Sequence, residues 1–408
     1  MISNISNWSS FVRLGTFKKE RGMGMSETKL SDYKAKSNFT AGLQDVIAGV
    51  SELCFIDGKE GRLLYRGYDI NELVDKTTFE EVVYLLWNGE LPNATQLEEL
   101  KKQIEGYQVL PDEVLNVIKL ISSKGTPMDT LRTTVSLLKS FDDEGEDMTP
   151  EANYRKAVKL VAVMPMIIAA IERSRSGLEF IQPKAGLSIA ANFLYMLKGQ
   201  EADPYEVRVM DAGLIMHADH EFNASTFACR VTAGTLSDVY SAVTSGIGTL
   251  KGPLHGGANT AVMHMLLEIG DTGKVEDYIL EKLSRKEKIM GFGHRIYKTM
   301  DPRADQLRQM SKELAERLGT DKWFLMTEKV FEVVNREKGM WPNVDLFTAS
   351  IYYVMGIKMD LYTAIFAMSR VSGWTAHVLE QYANNRLIRP TSIYQGPSLR
   401  EVRPIKER

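Results

Sequence analysis

Apolar residues recur along most of this chain with the spacing of helix faces. Phe79, Val82, Val83, Leu86 and Trp87 fall at i, i+3, i+4, i+7 and i+8, which predicts one amphipathic helix. Thr78 and Glu81 stand at its start with capping-box spacing. Leu187, Ala190, Ala191, Leu194 and Tyr195 repeat the pattern, and their small residues permit close helix–helix approach. The most apolar stretch, Val161 to Ile171, contains Pro165 and is too short to cross a bilayer, so it predicts a buried helix. Strand signals are few. Leu53 to Ile56, the turn pair Asp57-Gly58 and Leu63 to Tyr65 predict one small hairpin near the N-terminus. No strand–helix–strand alternation appears, so the pattern predicts an all-α fold and disfavours a doubly wound sheet.

A chain of 408 residues exceeds what one hydrophobic core usually serves, which predicts two domains. No internal repeat or low-complexity linker marks a boundary. Gly-rich loops between residues 246 and 293 suit a mobile junction. The acidic run Asp142 to Pro150 reads as a solvated loop. Residues 1–24 are Ser/Asn-rich, weakly basic and nearly free of acids. They read as a leader, either a transit peptide or, preferred here, an upstream start before Met25.

Formal net charge is −3, from 50 basic and 53 acidic residues, so the chain has no general field for nucleic acid or an anionic membrane. Anionic ligands would need locally concentrated cations. Cys54 and Cys229 form no CxxC motif or disulfide framework, which points to a reducing, cytoplasmic setting.

Six histidines carry the candidate chemistry. His255 lies in Lys251-Gly-Pro-Leu-His-Gly-Gly-Ala-Asn259, where flanking glycines let the backbone approach a ligand; a turn histidine is an equal alternative. His294 follows Gly291-Phe-Gly293 and precedes Arg295, Lys298 and Arg303. The dinucleotide fingerprint fails there because Ile296 stands where its third glycine belongs. What remains is a tight turn beside cations, suited to a phosphate or carboxylate, or else a solvated basic loop. His217 and His220 share one helical face. A metal pair, a buried structural histidine and a carboxylate reader are all compatible with that spacing, but no further ligand motif supports metal. Asp345, in Trp341-Pro-Asn-Val-Asp-Leu346, reads as an N-cap. His264 and His377 read as structural.

Together, HADHEFNAS (217–225), GPLHGGAN (252–259), GFGHRIYKTMDPR (291–303), PNVD (342–345) and SRVSGWTAH (369–377) resemble the citrate synthase family. YRGYDI (65–70) and YLLWNGELP (84–92) extend the resemblance, which runs from about residue 43 to 400, and the compact form is similar to the shorter bacterial and archaeal branch. It implies an almost entirely helical fold: a large domain over 25–254 and 351–408, and a small one over 255–350. It implies condensation of acetyl-CoA with oxaloacetate, both substrates, with no cofactor and no metal. Asp345 matches the base, His255 the donor to the thioester oxygen, and His294 the residue that polarises the ketone. His220, Arg303, Arg370 and Arg389 match the oxaloacetate ligands. Arg389 would come from the neighbouring subunit of a homodimer or dimer-based oligomer. Gly291, Phe292, Gly293 and Lys298 match the CoA site, although some relatives place an arginine where Lys298 stands.

Two other enzymes fit less of this pattern or only alter it. A 2-methylcitrate synthase would use propionyl-CoA with the same motifs. A metal-dependent hydrolase would use His217 and His220. A non-catalytic helical scaffold is a third alternative.

Overall fold

The computed structural model describes residues 40–394, 396–397 and 400–408; the leader expected over 1–24 lies outside them. The chain divides into two compact units, one of residues 49–388 and one of residues 1–48 with 389–408. In the described part of the terminal unit, only two short 3₁₀ turns form, Ala41–Leu43 and Ile405–Glu407.

The larger unit is helical, as the periodicity predicts. Its helices are α1 (Ile70–Lys76), α2 (Phe79–Asn88), α3 (Ala94–Gly106), α4 (Asp112–Ile121), α5 (Pro127–Leu138) and α6 (Pro150–Arg175). There follow α7 (Ile189–Lys198), α8 (Pro204–His217), α9 (Ala224–Ala233), α10 (Val239–Leu250) and α11 (Ala258–Ile269). The last are α12 (Val275–Ser284), α13 (Pro302–Leu318), α14 (Lys322–Lys338), α15 (Val344–Val354) and α16 (Tyr362–Ala383). None of the described helices is long and apolar enough to cross a membrane.

Helix α2 starts on the predicted capping box, with Thr78 and Glu81 each satisfying the other's backbone N–H. Helix α6 runs through Pro165 with Val161 to Ile171 buried. Helix α16 is the axis of the unit. It packs against α2, α6, α8, α9 and α10, and Trp374 and Arg370 are among its fully buried side chains. Farther along, α15 packs against α11, α13 and α14.

Three local expectations need correction. The hairpin of β1 (Cys54–Asp57) and β2 (Arg62–Tyr65) gains a third strand, β3 (Tyr68–Asp69), because the chain turns at Arg66 and Gly67 and pairs back. Both turn residues have positive φ, which only Gly67 adopts freely. Helix α7 begins after Leu187, and its inward face is Ile189, Ala190, Phe193 and Leu194, while Ala191 and Tyr195 are half-buried. The small residues of the repeat misled the phase.

The acidic loop is not merely solvated. Tyr240 donates to Asp142, and Lys159 lies 3.6 Å from the same carboxylate. Arg155 pairs with Glu144, Lys139 with Glu146, and buried Lys156 donates to the Asp147 carbonyl. Its charges are answered by cations flanking it in sequence, a pairing that composition alone does not reveal.

Two buried carboxylates join α2, α7 and α8. Glu80 accepts from the Ile189 N–H at 2.7 Å, and Asp211 accepts from the Phe79 N–H at 3.1 Å. Burial, then the nearby Glu80, pushes Asp211 up to about 7. A raised carboxyl holds its proton longer folded than unfolded, so this site favours the fold most below about pH 4. That advantage falls as pH rises through 7. Asp211→Asn keeps the acceptor and removes the charge. It should stabilise the protein by on the order of 2 kcal/mol at pH 8 and by little at pH 4, read as melting temperature.

Candidate active site

The SRVSGWTAH segment is one face of a helix. Phe366, Ser369, Arg370, Gly373, Trp374 and His377 fall at i, i+3, i+4, i+7, i+8 and i+11 on α16. The turn linking α8 to α9 docks on that face. Ser369 donates to the Leu214 carbonyl, and Arg370 Nε donates to the His217 carbonyl at 2.7 Å. His377 Nε2 hydrogen-bonds Asp219 Oδ2 at 3.3 Å and lies 3.2 Å from Oδ1, which is buried without a hydrogen-bond partner among the described residues. Gly373 permits this approach: a Cβ there would lie 2.3 Å from the Ala218 carbonyl oxygen and 2.8 Å from Asp219 Oδ1. From the opposite side, Tyr65 of β2 donates to the Asp219 carbonyl at 2.9 Å.

This docking carries through to His255. Trp374 Nε1 donates to Ser225 Oγ at 3.1 Å, and Ser225 Oγ lies 2.9 Å from His255 Nε2. The Ser225 backbone N–H also points at that nitrogen, at 3.3 Å. An N–H can only donate, so Nε2 accepts and the imidazole proton sits on Nδ1. Burial, then the Arg370 charge, lowers the His255 pKa to about 4, so the ring is neutral at pH 7.

His294 reaches the same state by another route. Its Nδ1 accepts from the Ile296 and Tyr297 N–H groups, at 3.1 and 3.2 Å, which leaves the proton on Nε2. Burial, then the Arg303 charge, lowers its pKa to about 4. Its ring stands 5.1 Å from that of His220 and 4.6 Å from that of Tyr297.

Asp345 is not the cap of its helix. Asn343 caps α15 and accepts from the Asp345 N–H at 3.0 Å. The Asp345 carboxylate is thereby spared from capping. Although half-buried by surface, it is closely surrounded by protein; desolvation raises its pKa to about 6 against the opposing Arg303 charge. The same asparagine ties the His294 loop to this helix. Its N–H donates to the Gly291 carbonyl at 3.0 Å and its side chain to the Gly293 carbonyl at 3.2 Å. Gly291, at φ +85°, is required by packing: a Cβ would lie 2.8 Å from Leu346.

Two buried arginines influence the whole group. Arg303 grips Asp301 bidentately, at 2.9 and 2.7 Å, and reaches the Met216 carbonyl at 3.3 Å. Burial alone would raise the Asp301 carboxyl, but the Arg303 charge and hydrogen bonds outweigh it and hold it low. The Arg303 charge also acts on His217, His220, His294 and Asp345. Arg370 acts on His217, His220 and His255, and its guanidinium lies 4.8 Å over the Phe366 ring.

His217 Nδ1 donates to the Gly213 carbonyl at 2.8 Å, so its buried Nε2 is an unpartnered acceptor. His220 Nε2 is also buried without a partner, and burial holds that ring well below the usual imidazole range. Among the described residues, no three His, Cys, Asp or Glu side chains are grouped to hold a metal ion.

The remaining sequence candidates fall apart by position. Gly291 and Phe292 face the interior, whereas Gly293 and Lys298 are exposed. Arg389 belongs to the terminal unit. Sequence reasoning assigned nothing to Ser225, Trp374, Asp219, Asp301 or Tyr297. All five lie inside the quoted motifs, and that company was the available signal.

The family model for the citrate synthase C-terminal domain matches residues 42–391. The chain belongs to the citrate synthase family. It is 51% identical over 370 residues to citrate synthase 2 of Bacillus subtilis, covering 90% of this chain and 99% of that one. It is 42% identical to 2-methylcitrate synthase 1 of Corynebacterium glutamicum, covering 91% and 99%. The Thermoplasma acidophilum citrate synthase, solved in ternary complex with carboxymethyl coenzyme A and oxaloacetate, superposes with a TM-score of 0.85. That match is 33% identical and covers 90% of this chain and 98% of that one. The mostly helical fold and the transferase class of citrate synthases thus hold for this chain.

Gly373→Ala tests the docking. The added methyl must push the 218–219 backbone away from α16, an overpacking cost of about 1–3 kcal/mol. A lowered melting temperature is expected, and an unchanged one would mean that the turn is held by other contacts.

Proposed function

We propose that this chain condenses acetyl-CoA with oxaloacetate and hydrolyses the resulting citryl-CoA to citrate and CoA. The observation that supports this best is the matched protonation of three groups. His255 and His294 are neutral rings that each keep one N–H without an acceptor among the described residues, and Asp345 is a carboxylate with a raised pKa.

A thioester methyl group is a weak carbon acid. Asp345 removes its proton while the His255 Nδ1–H donates to the thioester oxygen, which becomes the enolate oxygen. A base whose pKa lies near 6 transfers the proton at less cost than an ordinary carboxylate. The enolate carbon then attacks the oxaloacetate ketone, whose oxygen takes a hydrogen bond from His294 Nε2–H as it gains charge. Arg370 and His220 hold the oxaloacetate carboxylates, with Arg303, whose fork already grips Asp301, offering only its remaining N–H donors, and Arg389 supplied by the second subunit of a dimer. Residues 255–350 close as the small domain over bound oxaloacetate and exclude water until condensation is complete. Gly293 and Lys298 meet CoA at the exposed edge. The enzyme works in the cytoplasm.

Propionyl-CoA is the competing substrate, because a relative named 2-methylcitrate synthase is 42% identical to this chain. One methyl group in an apolar pocket separates the two by only about 1–3 kcal/mol. Free thiol released with oxaloacetate and either acyl-CoA decides between them. A higher kcat/KM with acetyl-CoA is expected, and a propionyl preference would reassign the enzyme.

Asp345→Asn should lower kcat by roughly 10²–10⁴-fold and leave oxaloacetate binding intact. In the wild type, kcat/KM for acetyl-CoA should fall as pH drops below about 6, because the base is then protonated. The imidazoles, at about 4, stay neutral through that limb. A profile flat from pH 7 to 5 would remove Asp345 from the role of base.

A further inference from the structure

The two buried arginines differ in how their charge is balanced. Arg303 has the Asp301 carboxylate directly on its fork, at 2.7 Å. Arg370 is equally buried, yet among the described ion pairs it has no carboxylate partner. The Arg370 and Asp219 charges nevertheless act on each other, and Asp219 is completely buried. A buried carboxylate needs compensation, and the natural place to find it is the guanidinium whose charge acts on it. Something holds Asp219 elsewhere.

That group is His377. Its Nε2 lies 3.2 and 3.3 Å from the two Asp219 oxygens. Its Nδ1 faces Arg230 Nη1 at 3.1 Å. A guanidinium only donates, so Nδ1 accepts and the ring's proton is forced onto Nε2, toward Asp219. Arg230 is fixed in turn by Glu380 at 2.6 Å and by the Phe222 ring, 4.5 Å from its guanidinium carbon. Glu380 is anchored by the Ser51 hydroxyl at 3.1 Å and the Glu52 N–H at 2.9 Å. The imidazole is thus set from behind by groups that take no part in the chemistry described above.

We propose that His377 and Asp219 are positioning residues for the substrate dianion. His377 holds the Asp219 carboxylate back from Arg370, so that the arginine is balanced in charge while its fork stays open to a substrate carboxylate. This rests on the reading of Arg370 as an oxaloacetate ligand. Without the His377 proton, Asp219 turns to Arg370 and competes with the substrate for it.

The test is steady-state kinetics on the full chain. His377→Leu should raise KM for oxaloacetate by about tenfold or more and change kcat and KM for the acyl-CoA by less than about twofold. His377→Gln keeps a donor and should stay near wild type. The double variant His377→Leu/Asp219→Asn removes the competing charge and should recover KM for oxaloacetate to within about threefold of wild type.

An unchanged KM in His377→Leu, or a double variant no better than the single one, overturns the proposal. If His377→Leu yields no soluble protein, His377→Met removes the same donor at similar volume. It should then raise KM for oxaloacetate at constant kcat, and an unchanged KM there is equally fatal. A wild type that releases no thiol with oxaloacetate and either acyl-CoA refutes the proposed function itself, whereas an active wild type with indifferent variants refutes only this inference.

Discussion

The close docking of the 217–225 turn on α16 is the contact on which the rest of the site depends. Gly373 lets the Ala218 carbonyl and the Asp219 side chain come within reach of the helix, closer than a Cβ would allow. Arg370, Trp374 and His377 then each hold a different point of the turn, and Ser225 passes the constraint on to His255. A single helical face therefore places one imidazole, one arginine and the histidine turn in a fixed relation. Rigid elements position such groups more exactly than free loops.

The second constraint is electrostatic. Burying two guanidinium groups costs several kcal/mol each unless charge is returned nearby. Asp301 and Asp219 return it in different ways, one on the fork and one at a distance. The same cations, together with burial, keep His255 and His294 neutral and restrain the rise at Asp345. A neutral imidazole that donates is suited to an oxygen gaining charge, because it offers a hydrogen bond without first having to be protonated. The carboxylate and the two rings thus owe their states first to burial and then to the arginines.

Much of this was legible in the chain. Helix periodicity located α2 and the buried centre of α6, and the capping box at Thr78 formed as its spacing demands. Where patterns misled, the reason is physical. Asp345 has the composition and position of a cap, but Asn343 takes that role and leaves the carboxylate available. The acidic loop has the composition of a solvated segment, but cations at Lys139, Arg155, Lys156 and Lys159 fold onto it. Gly291 is also required by packing, because a Cβ there would meet Leu346.

What the sequence determined by itself was the helical class, the apolar faces, the motif set and the family those motifs resemble. Each is local, or is a matter of order along the chain. The tertiary structure decided the proton positions on His255 and His294, the raised pKa of Asp345, and the distinct balancing of Arg303 and Arg370. Those depend on which donor faces which nitrogen and how far water is kept away. Residues more than a hundred positions apart, such as Asp219 and His377, meet only when helices pack. No spacing in the chain encodes that distance.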